Sequence, residues 1–446
     1  MSDSDSIAAE FRRRLKIESS QRFIIAYSGG VDSHVLLHVL ANLVHDRDRL
    51  KVVHIDHELH EDSGNWALHC GRVADSLGLT AEVIKIRTRP RKGDSIESWA
   101  RKQRYQLFES IIDGTDAVLT AHHREDLAET FLLQLFRGAG PHGLSSIAAE
   151  QSFGTGTIVR PLLNVSRAEI DEYAINHKLD WVEDPSNATD KFERNFLRHQ
   201  LIPLVKEKWP AVTERIAHAV TLQRESAALL DITADGILAS AINDSGRQVA
   251  LATLLDLDET RRRWALRRWI VRAGFPIPDA VHLRAMLELL DARVDAQPCV
   301  KWKGAEMRRY RGTVYLGLAR PRELDITDYQ WDFCSPLELP SGILSASKVI
   351  GGGLRTSAVG AGVRVRFRRG GERCRPSGRE HSQTLKHFFQ QWGIVPWLRA
   401  EIPLLYIGDE IAAVADICAC QPFAAGAEDD GWALTWSAFD AEEITS

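Results

Sequence analysis

The sequence predicts an α/β fold: a doubly wound, mostly parallel sheet, followed by a helical middle domain and a small α+β C-terminal domain. Three observations carry that expectation. Over the first 200 residues, short apolar runs rich in β-branched residues alternate with amphipathic segments. The first apolar run passes through Ser-Gly-Gly directly into a helical pattern. Beyond about residue 215 the alternation stops, giving way to helical and then strand-rich sequence.

The expected strands are "RFIIAY", "KVVHID", "AEVIKI", "DAVLTA" and "GTIVRPLL", each too short and too apolar for a surface helix. Between them, "SHVLLHVLANLV", "SIESWARKQRYQLFESII" and "EDLAETFLLQLF" repeat apolar residues at helical spacing. Strands that alternate with helices pair in parallel and are covered on both faces, and their ligands bind at the carboxyl ends of the strands. From about Ala211 to Ile242 the pattern is helical throughout, which marks the exit from the first domain. An Arg/Trp-rich helix near 260–273 ends before Pro276 and Pro278, and an acidic stretch at 321–347 leads to a strand-rich region beginning near Val349. The expected domains are therefore 1–215, 216–345 and 346–446.

Composition excludes several classes. The 446 residues are 44% hydrophobic with a net charge of −5, and no stretch approaches the ~18 continuous apolar residues of a membrane span. The start, MSDSDSIAAEFRRRLK, lacks an apolar export segment, so a cytoplasmic protein with no membrane partner is expected. Six scattered cysteines read as reduced thiols; Cys418 and Cys420 form a C-x-C with no second pair at zinc spacing. The charge is uneven: residues 361–400 hold nine Lys/Arg against two Glu, a local excess of seven suited to a polyanion.

The stretch "IIAYSGGVDS" supplies the chemistry. Adjacent glycines let backbone N–H groups approach phosphate oxygens, and a helix beginning at Ser33 favours an anion at its N-terminus. The candidate nucleotide-binding residues are Ser28, Gly29, Gly30, Val31, Asp32 and Ser33. A Walker A loop would require Gly-Lys-Ser/Thr, which the chain lacks. Asp32 instead offers a carboxylate suited to Mg²⁺ on the phosphates. In "AHHREDLAET", His122, Asp126 and Glu129 fall at i, i+4 and i+7 on one helix face, a metal-binding carboxylate beside a proton carrier. His123 reads as a packed neighbour.

The loop resembles that of the pyrophosphate-loop (PP-loop) ATPases, with their adenine nucleotide alpha-hydrolase-like sheet. The whole series "HIDHELH", "IESWARKQRY", "AHHREDLAET", "LFRGAGPHGLS", "VRPLL" and "WVEDPSNATDKFERNFLR", over about residues 22–203, resembles the tRNA(Ile)-lysidine synthase family. The downstream Arg-rich segments match that family's substrate-binding and C-terminal domains more loosely. The resemblance implies that ATP activates carbon 2 of the wobble cytidine in a CAU-anticodon isoleucine tRNA and that free L-lysine displaces AMP to give lysidine. It implies that Asp32 and Asp126 share Mg²⁺, that His122 and Glu129 face the reacting centre, and that Arg101 and Arg194 contact substrate or phosphate. Either His122 or Glu129 fits the general base, and a homodimer is left open. His60 stands where the family usually has Arg, and Trp99 where a small residue is expected.

Two alternatives are weighed beside this reading. A PP-loop tRNA thiolase of the cluster or persulfide type needs well-placed cysteines, commonly C-x-x-C, and the sequence has none. A non-catalytic tRNA-binding protein would not need the intact Ser28, Gly29, Gly30, Asp32, Ser33, Asp126 and Glu129. "GAGPHG" (138–143) matches G-x-G-x-x-G but follows a helix, so it reads as a loop near the active site rather than a dinucleotide fingerprint. The spacing of His54, His57 and His60 makes a shared metal difficult. In "ETRRRWALRRWIVR" six arginines surround Trp264 and Trp269, a pattern that fits either a polyanion-binding helix or a packed amphipathic one.

Overall fold

The apolar run at 23–26 forms β1 (Phe23–Ala26), whose first three residues are buried, as a central parallel strand requires. The computed structural model describes residues 3–17, 19–91, 95–185, 193–293, 296–319, 327–360 and 362–438. After α1 (Asp3–Arg14) and β1 come α2 (Val31–Leu43), β2 (Leu50–Asp56), α3 (Ser63–Ser76) and β3 (Ala81–Lys85). They are followed by α4 (Ile96–Ile111), β4 (Ala117–Leu119), α5 (Arg124–Phe136), α6 (Pro141–Leu144), β5 (Glu150–Phe153), β6 (Gly156–Val159) and α7 (Arg167–Asn176). The strand order is β3-β2-β1-β4-β6-β5, parallel except for β5 at the edge. All five predicted strands are present; β5 and α1 are additions.

Helices cover both faces. Ile7, Phe11, Leu36 and Tyr173 from α1, α2 and α7 pack with Ile25 and Val52 on one side. Phe108 of α4 packs with Ile24, Val53, Val118 and Ile158 on the other. Successive connections leave β1 in opposite directions, to β2 on one side and, later, to β4 on the other. The carboxyl ends of β1 and β4 therefore border a crevice, and the Ser-Gly-Gly and His-His motifs both emerge there.

The chain continues through α8 (Glu193–Phe196), a π-helical turn (Leu197–Leu201), α9 (Ile202–Lys208) and the long α10 (Val212–Leu238). Two compact units result, residues 1–229 and 230–446. The second begins with β7 (Gln248–Ala250), α11 (Leu251–Leu255), α12 (Glu259–Arg272), α13 (Ala280–Leu290), β8 (Cys299–Trp302), β9 (Ala305–Tyr310) and β10 (Thr313–Leu318). Its helices share a core with an antiparallel sheet of order β7-β10-β9-β8, so this predicted helical region also holds strands.

The arginine-rich α12 is a packing helix. Trp269 is fully buried and donates from Nε1 to Gly246 O at 2.7 Å. Arg268 bridges Asp231 and Asp235 at 2.9 and 2.7 Å, Arg272 meets Asp235 at 3.1 Å, and Arg262 meets Asp291 at 3.2 Å. Of the two readings the sequence allowed, Trp269 takes the core one, and these arginines serve the helix's own neighbours.

The strand-rich remainder comprises β11 (Tyr329–Trp331), β12 (Leu337–Leu339), β13 (Gly342–Ile350), β14 (Leu354–Arg355), α14 (Thr356–Val359), β15 (Val363–Arg366), β16 (Arg373–Cys374) and β17 (Gln383–Thr384). It closes with α15 (Leu385–Gln391), β18 (Leu404–Ile407), β19 (Glu410–Val414), β20 (Cys418–Ala419) and β21 (Asp430–Ala438). Two sheets, β11-β15-β18-β19-β20 and β12-β13-β21-β14, enclose Phe388, Phe389, Leu404 and Trp436. The strands begin earlier than Val349, at Tyr329. Among the described residues no helix is long and apolar enough to cross a membrane.

Candidate active site

The turn after β1 depends on glycine. Gly29 has φ +88°, a conformation that L side chains resist, and a Cβ there would stand 3.0 Å from the Cys70 sulfur. Ser33 Oγ closes the loop, donating to Gly30 O at 2.9 Å and lying 3.1 Å from Ser28 Oγ. Ser28 N donates to that same Ser33 hydroxyl at 3.2 Å. These bonds shape a cradle whose opening is the N-terminus of α2, with Asp32 in its first turn.

Beside the cradle lies a cavity of about 380 Å³ lined by Ser28, Asp32, Ser33, Arg101, Arg104, Tyr105, His122, Asp126 and Arg194, with Val53, Ile55, Phe108 and Ile158 along its floor. An apolar slot next to a phosphate cradle suits an adenine ring. Arg101 lies over the Tyr105 ring, its Cζ 4.9 Å from the centroid, and donates to the Tyr105 hydroxyl at 3.1 Å.

The second half of the site is built by the start of α5. His123 caps the helix, and the carboxylate of Asp126 accepts from His123 N at 3.1 Å, so one backbone turn fixes both side chains. His123 Nε2 then sits 3.9 Å from Asp32 and 3.5 Å from Asp126. Burial works against a charge on His123, but Asp126, Glu125 and Asp32 outweigh it and lift its pKa to about 9. It is a buried imidazolium between carboxylates, not merely a packed neighbour. Burial likewise opposes ionisation of Asp126, but His123, His122, Arg194 and Arg198 hold its pKa below the usual carboxylate range. Asp32 is shifted upward, chiefly by burial, although His123 and Arg167 oppose the shift. Arg167 reaches Asp32 from α7 at 3.1 Å.

His122 points the other way, into the cavity, with Nδ1 2.9 Å from the Thr120 hydroxyl. Burial lowers its pKa to about 3, so at neutral pH it is an uncharged imidazole. Glu129 is fully buried, and both oxygens are occupied: Arg194 Nε at 2.7 Å on one, Arg198 Nε at 2.7 Å on the other. Arg194 and Arg198 come from α8 and the π-helical turn, so this ion triad ties that segment to α5. Glu125 is also absent from the sequence expectations; it accepts from Arg167 N at 2.9 Å and lies 3.2 Å from His123.

One further residue escaped the motif reading. Arg160, in "VRPLL", is 2% exposed and donates to Ala148 O at 2.7 Å and toward the Tyr105 hydroxyl at 3.4 Å, while its buried Nε has no partner. With Arg101 and Lys102 it lines a second cavity of about 470 Å³ that has no acidic residue in its wall among the described residues. A buried Arg without a carboxylate is costly, and the signal available in sequence was only an Arg inside an apolar strand.

The remaining motifs separate. His54 is buried with Nδ1 3.0 Å from Tyr27 O, His57 packs against Trp99 with ring centroids 5.8 Å apart, and His60 stacks on Trp66 at 5.0 Å. Among the described residues no cluster of three or more His, Cys, Asp or Glu can hold a metal ion by itself. "GAGPHG" turns at Gly138 and enters the one-turn α6. Asp184 and Pro185 precede Ser186 and Asn187, which lie outside the described residues, as does the side chain of Glu97.

A prediction follows from His123. Its folded pKa of about 9 lies above the unfolded value near 6.5, so its contribution is present below pH 6.5 and lost as pH rises through 9. In metal-free buffer, thermal stability is expected to fall across that window, and His123→Gln is expected to flatten the decline. An equal decline in the variant would contradict the ion-pair assignment.

A parallel sheet with a lysine-free glycine cradle after its first strand, facing carboxylates after its fourth, defines a PP-loop ATPase; a family model described as a PP-loop domain matches residues 4–205. Models described as TilS substrate binding domain and TilS substrate C-terminal domain match residues 250–315 and 363–436. The tRNA(Ile)-lysidine synthase of Coxiella burnetii is 39% identical over 420 residues, covering 93% of both chains. That of Alkalilimnicola ehrlichii is 38% identical, covering 90% of this chain and 91% of its own. This chain belongs to the tRNA(Ile)-lysidine synthase family. A solved structure with similarity is the U34-tRNA thiolase NcsA of Methanococcus maripaludis with its [4Fe-4S] cluster. It is 13% identical, with a TM-score of 0.42 over 50% of this chain and 78% of that one.

Proposed function

We propose that this chain ligates free lysine to carbon 2 of the wobble cytidine of a CAU-anticodon isoleucine tRNA, in the cytoplasm, consuming ATP. Family membership and an intact PP-loop site support the reading, and the single observation that carries it is the convergence of Asp32 and Asp126 beside the glycine cradle. In the first step the cytidine O2 attacks the α-phosphorus and pyrophosphate leaves. In the second, the lysine ε-amine attacks carbon 2 and AMP leaves.

The donor set fits Mg²⁺. Two carboxylates reach one imidazole edge, and a magnesium ion that keeps waters and phosphate oxygens needs only one or two protein carboxylates. Asp32 and Asp126 would hold it, where it would neutralise phosphate charge. The backbone of Ser28 to Ser33 cradles phosphate, and the floor of Val53, Ile55, Phe108 and Ile158 receives the adenine. His122, neutral and facing the cavity, offers a polar ring edge that orients the attacking amine rather than a base strong enough to hold its proton. Glu129 has both oxygens engaged, so its role is to position Arg194 and Arg198 against the α5 carboxylates. The pocket lined by Arg101, Lys102 and Arg160 offers counter-charge to the lysine carboxylate.

Incubation of tRNA, ATP and lysine, followed by nucleoside mass spectrometry, tests the reading. The expected product is cytidine carrying a lysyl group, and a variant with all six cysteines replaced by Ser or Ala is expected to make it too. Of those cysteines only Cys70 lies under the loop, and burial raises its pKa to about 12, which suits a packed thiol. A folded cysteine-free variant that modifies nothing, or a product gaining sulfur, favours the thiolase.

The C-terminal basic excess narrows in the structure. Arg364, Arg368 and Arg369 pair with Asp409, Glu372 and Asp328, Arg366 lies over Tyr406, and Arg399 is buried. Arg373, Arg375, Arg379 and Lys386 stay exposed. We therefore expect tRNA phosphates at these four. Replacing Arg375 and Arg379 with Gln is expected to lower the salt slope of tRNA binding by about 1 per lost phosphate contact. An unchanged slope would place the RNA elsewhere.

A further inference from the structure

Arg167 has no part in the reaction as written, yet it grips one of the two candidate metal ligands. Its Nη1 lies 3.1 Å from one oxygen of Asp32 and 3.2 Å from the other, astride the carboxylate, while the His123 ring stands 3.9 Å away. The backbone beneath it is fixed: Arg167 opens α7 behind a Ser166–Glu169 capping box, and its own N–H donates to Glu125 at 2.9 Å. Its side chain is less confined. Nε donates to Asp171, one turn along α7, at 2.9 Å, and 41% of the side chain is exposed. Arg167 also borders two cavities, one of about 610 Å³ shared with Gly30, Asp32, His123 and Arg198, and one of about 430 Å³ shared with Arg124 and Lys206. The guanidinium therefore has room to turn about an anchored backbone.

We propose that Arg167 changes partners during the reaction: it holds Asp32 before magnesium and ATP bind, then passes to the terminal phosphates of ATP and to the pyrophosphate they become. The proposal rests on Asp32 as a magnesium ligand. A guanidinium and a divalent cation on one carboxylate compete for the same oxygens and repel each other, more strongly in a part-buried site than in water. Asp32 cannot serve both. The phosphates enter at the start of α2, where free amide groups favour negative charge, and Gly30 and Val31 share the larger cavity with Arg167. That wall also carries Glu125, Glu183 and Asp184, so a phosphate there needs cationic cover. Arg167 supplies it, and its planar fork takes two phosphate oxygens at once. The exchange couples the two ligands. Metal arriving alone must evict the guanidinium, whereas metal arriving with phosphates gives it a new partner, so each ligand strengthens the binding of the other.

Binding measurements on the full-length protein test the exchange, with Mn²⁺ followed by electron paramagnetic resonance and magnesium pyrophosphate by calorimetry. Arg167→Met is expected to bind Mn²⁺ alone at least ~10-fold more tightly than wild type, and magnesium pyrophosphate at least ~10-fold more weakly. The opposite signs are diagnostic, since an arginine that only braced α7 against Asp32 would leave both affinities unchanged or lower both. Arg167→Lys keeps the charge and loses the fork, so its Mn²⁺ affinity is expected within about twofold of wild type while its pyrophosphate affinity falls. If the Met variant does not fold, the Lys variant decides, and an unchanged pyrophosphate affinity there would overturn the proposal. Asp32→Asn is expected to lose Mn²⁺ binding. Should it bind Mn²⁺ normally, the metal assignment fails and the exchange with it; should it lose Mn²⁺ while Arg167→Met binds the metal no more tightly than wild type, the exchange alone is overturned.

Discussion

Asp126→Asn is expected to lower pyrophosphate release from ATP at least ~100-fold while tRNA affinity stays within about twofold. A metal contact at a phosphoryl-transfer transition state is worth several kcal/mol, and each 1.36 kcal/mol is tenfold in rate. The substitution is nearly isosteric, and an amide oxygen can still accept from His123 N, so the cap of α5 should survive. What disappears is the charge facing His123, Arg194 and Arg198. Asp32→Asn should behave alike. Near-wild-type ATP–pyrophosphate exchange by either folded variant would remove these carboxylates from the phosphate chemistry, and loss of tRNA binding would show that the substitution had disturbed more than the site.

The second large effect concerns Glu129. Removing both of its partners, in an Arg194→Met/Arg198→Met variant, leaves a fully buried carboxylate uncompensated. Loss of partners from a buried ion pair typically costs about 3–5 kcal/mol. The expected result is destabilisation of that order in denaturant unfolding, with adenylation lost because α8 and the π-helical turn no longer dock on α5. Adding Glu129→Gln should restore much of the stability and none of the activity. A double variant within about 1 kcal/mol of wild type would mean that the triad contributes little to the fold.

That split between stability and activity also explains how the site could be read. The turn of Ser28, Gly29 and Gly30 into α2 was legible because a sharp strand-to-helix turn needs small residues in consecutive positions, a local requirement written in a local string. The same holds for Asp126 and Glu129, which helix spacing places together, but not for His122: the sequence put it on their helix face, whereas the helix begins only at Arg124 after the His123 cap, and the β4–α5 turn places His122. Strand identities were legible through runs such as Phe23–Ile25, since burial on both faces permits little else. The strands of the middle region were missed. β7, β8, β9 and β10 form an antiparallel sheet packed on α11–α13, and their polar alternation, as in "AEMRRY", lacks the continuous apolar signal of a parallel strand.

The sequence by itself determined the fold class, the nucleotide loop and the acidic helix face, because each depends on neighbours within about seven residues. Only the tertiary structure decided what the charges do. Glu129 and His122 were both candidates for the base in the sequence; in the fold Arg194 and Arg198, 65 and 69 residues on from Glu129, occupy both of its oxygens, while His122 lies before the helix and faces the cavity. His123 is held as an imidazolium first by Asp126 and Glu125 of its own helix turn and then by Asp32, 91 residues upstream, which only the fold brings to it. Three of the six arginines of α12, Arg262, Arg268 and Arg272, turned out to be engaged by Asp291, Asp231 and Asp235. A titratable side chain's role is set by the opposite charges within about 4–6 Å of it, and in a chain that reverses at every strand those charges come from distant segments whose approach no spacing rule encodes.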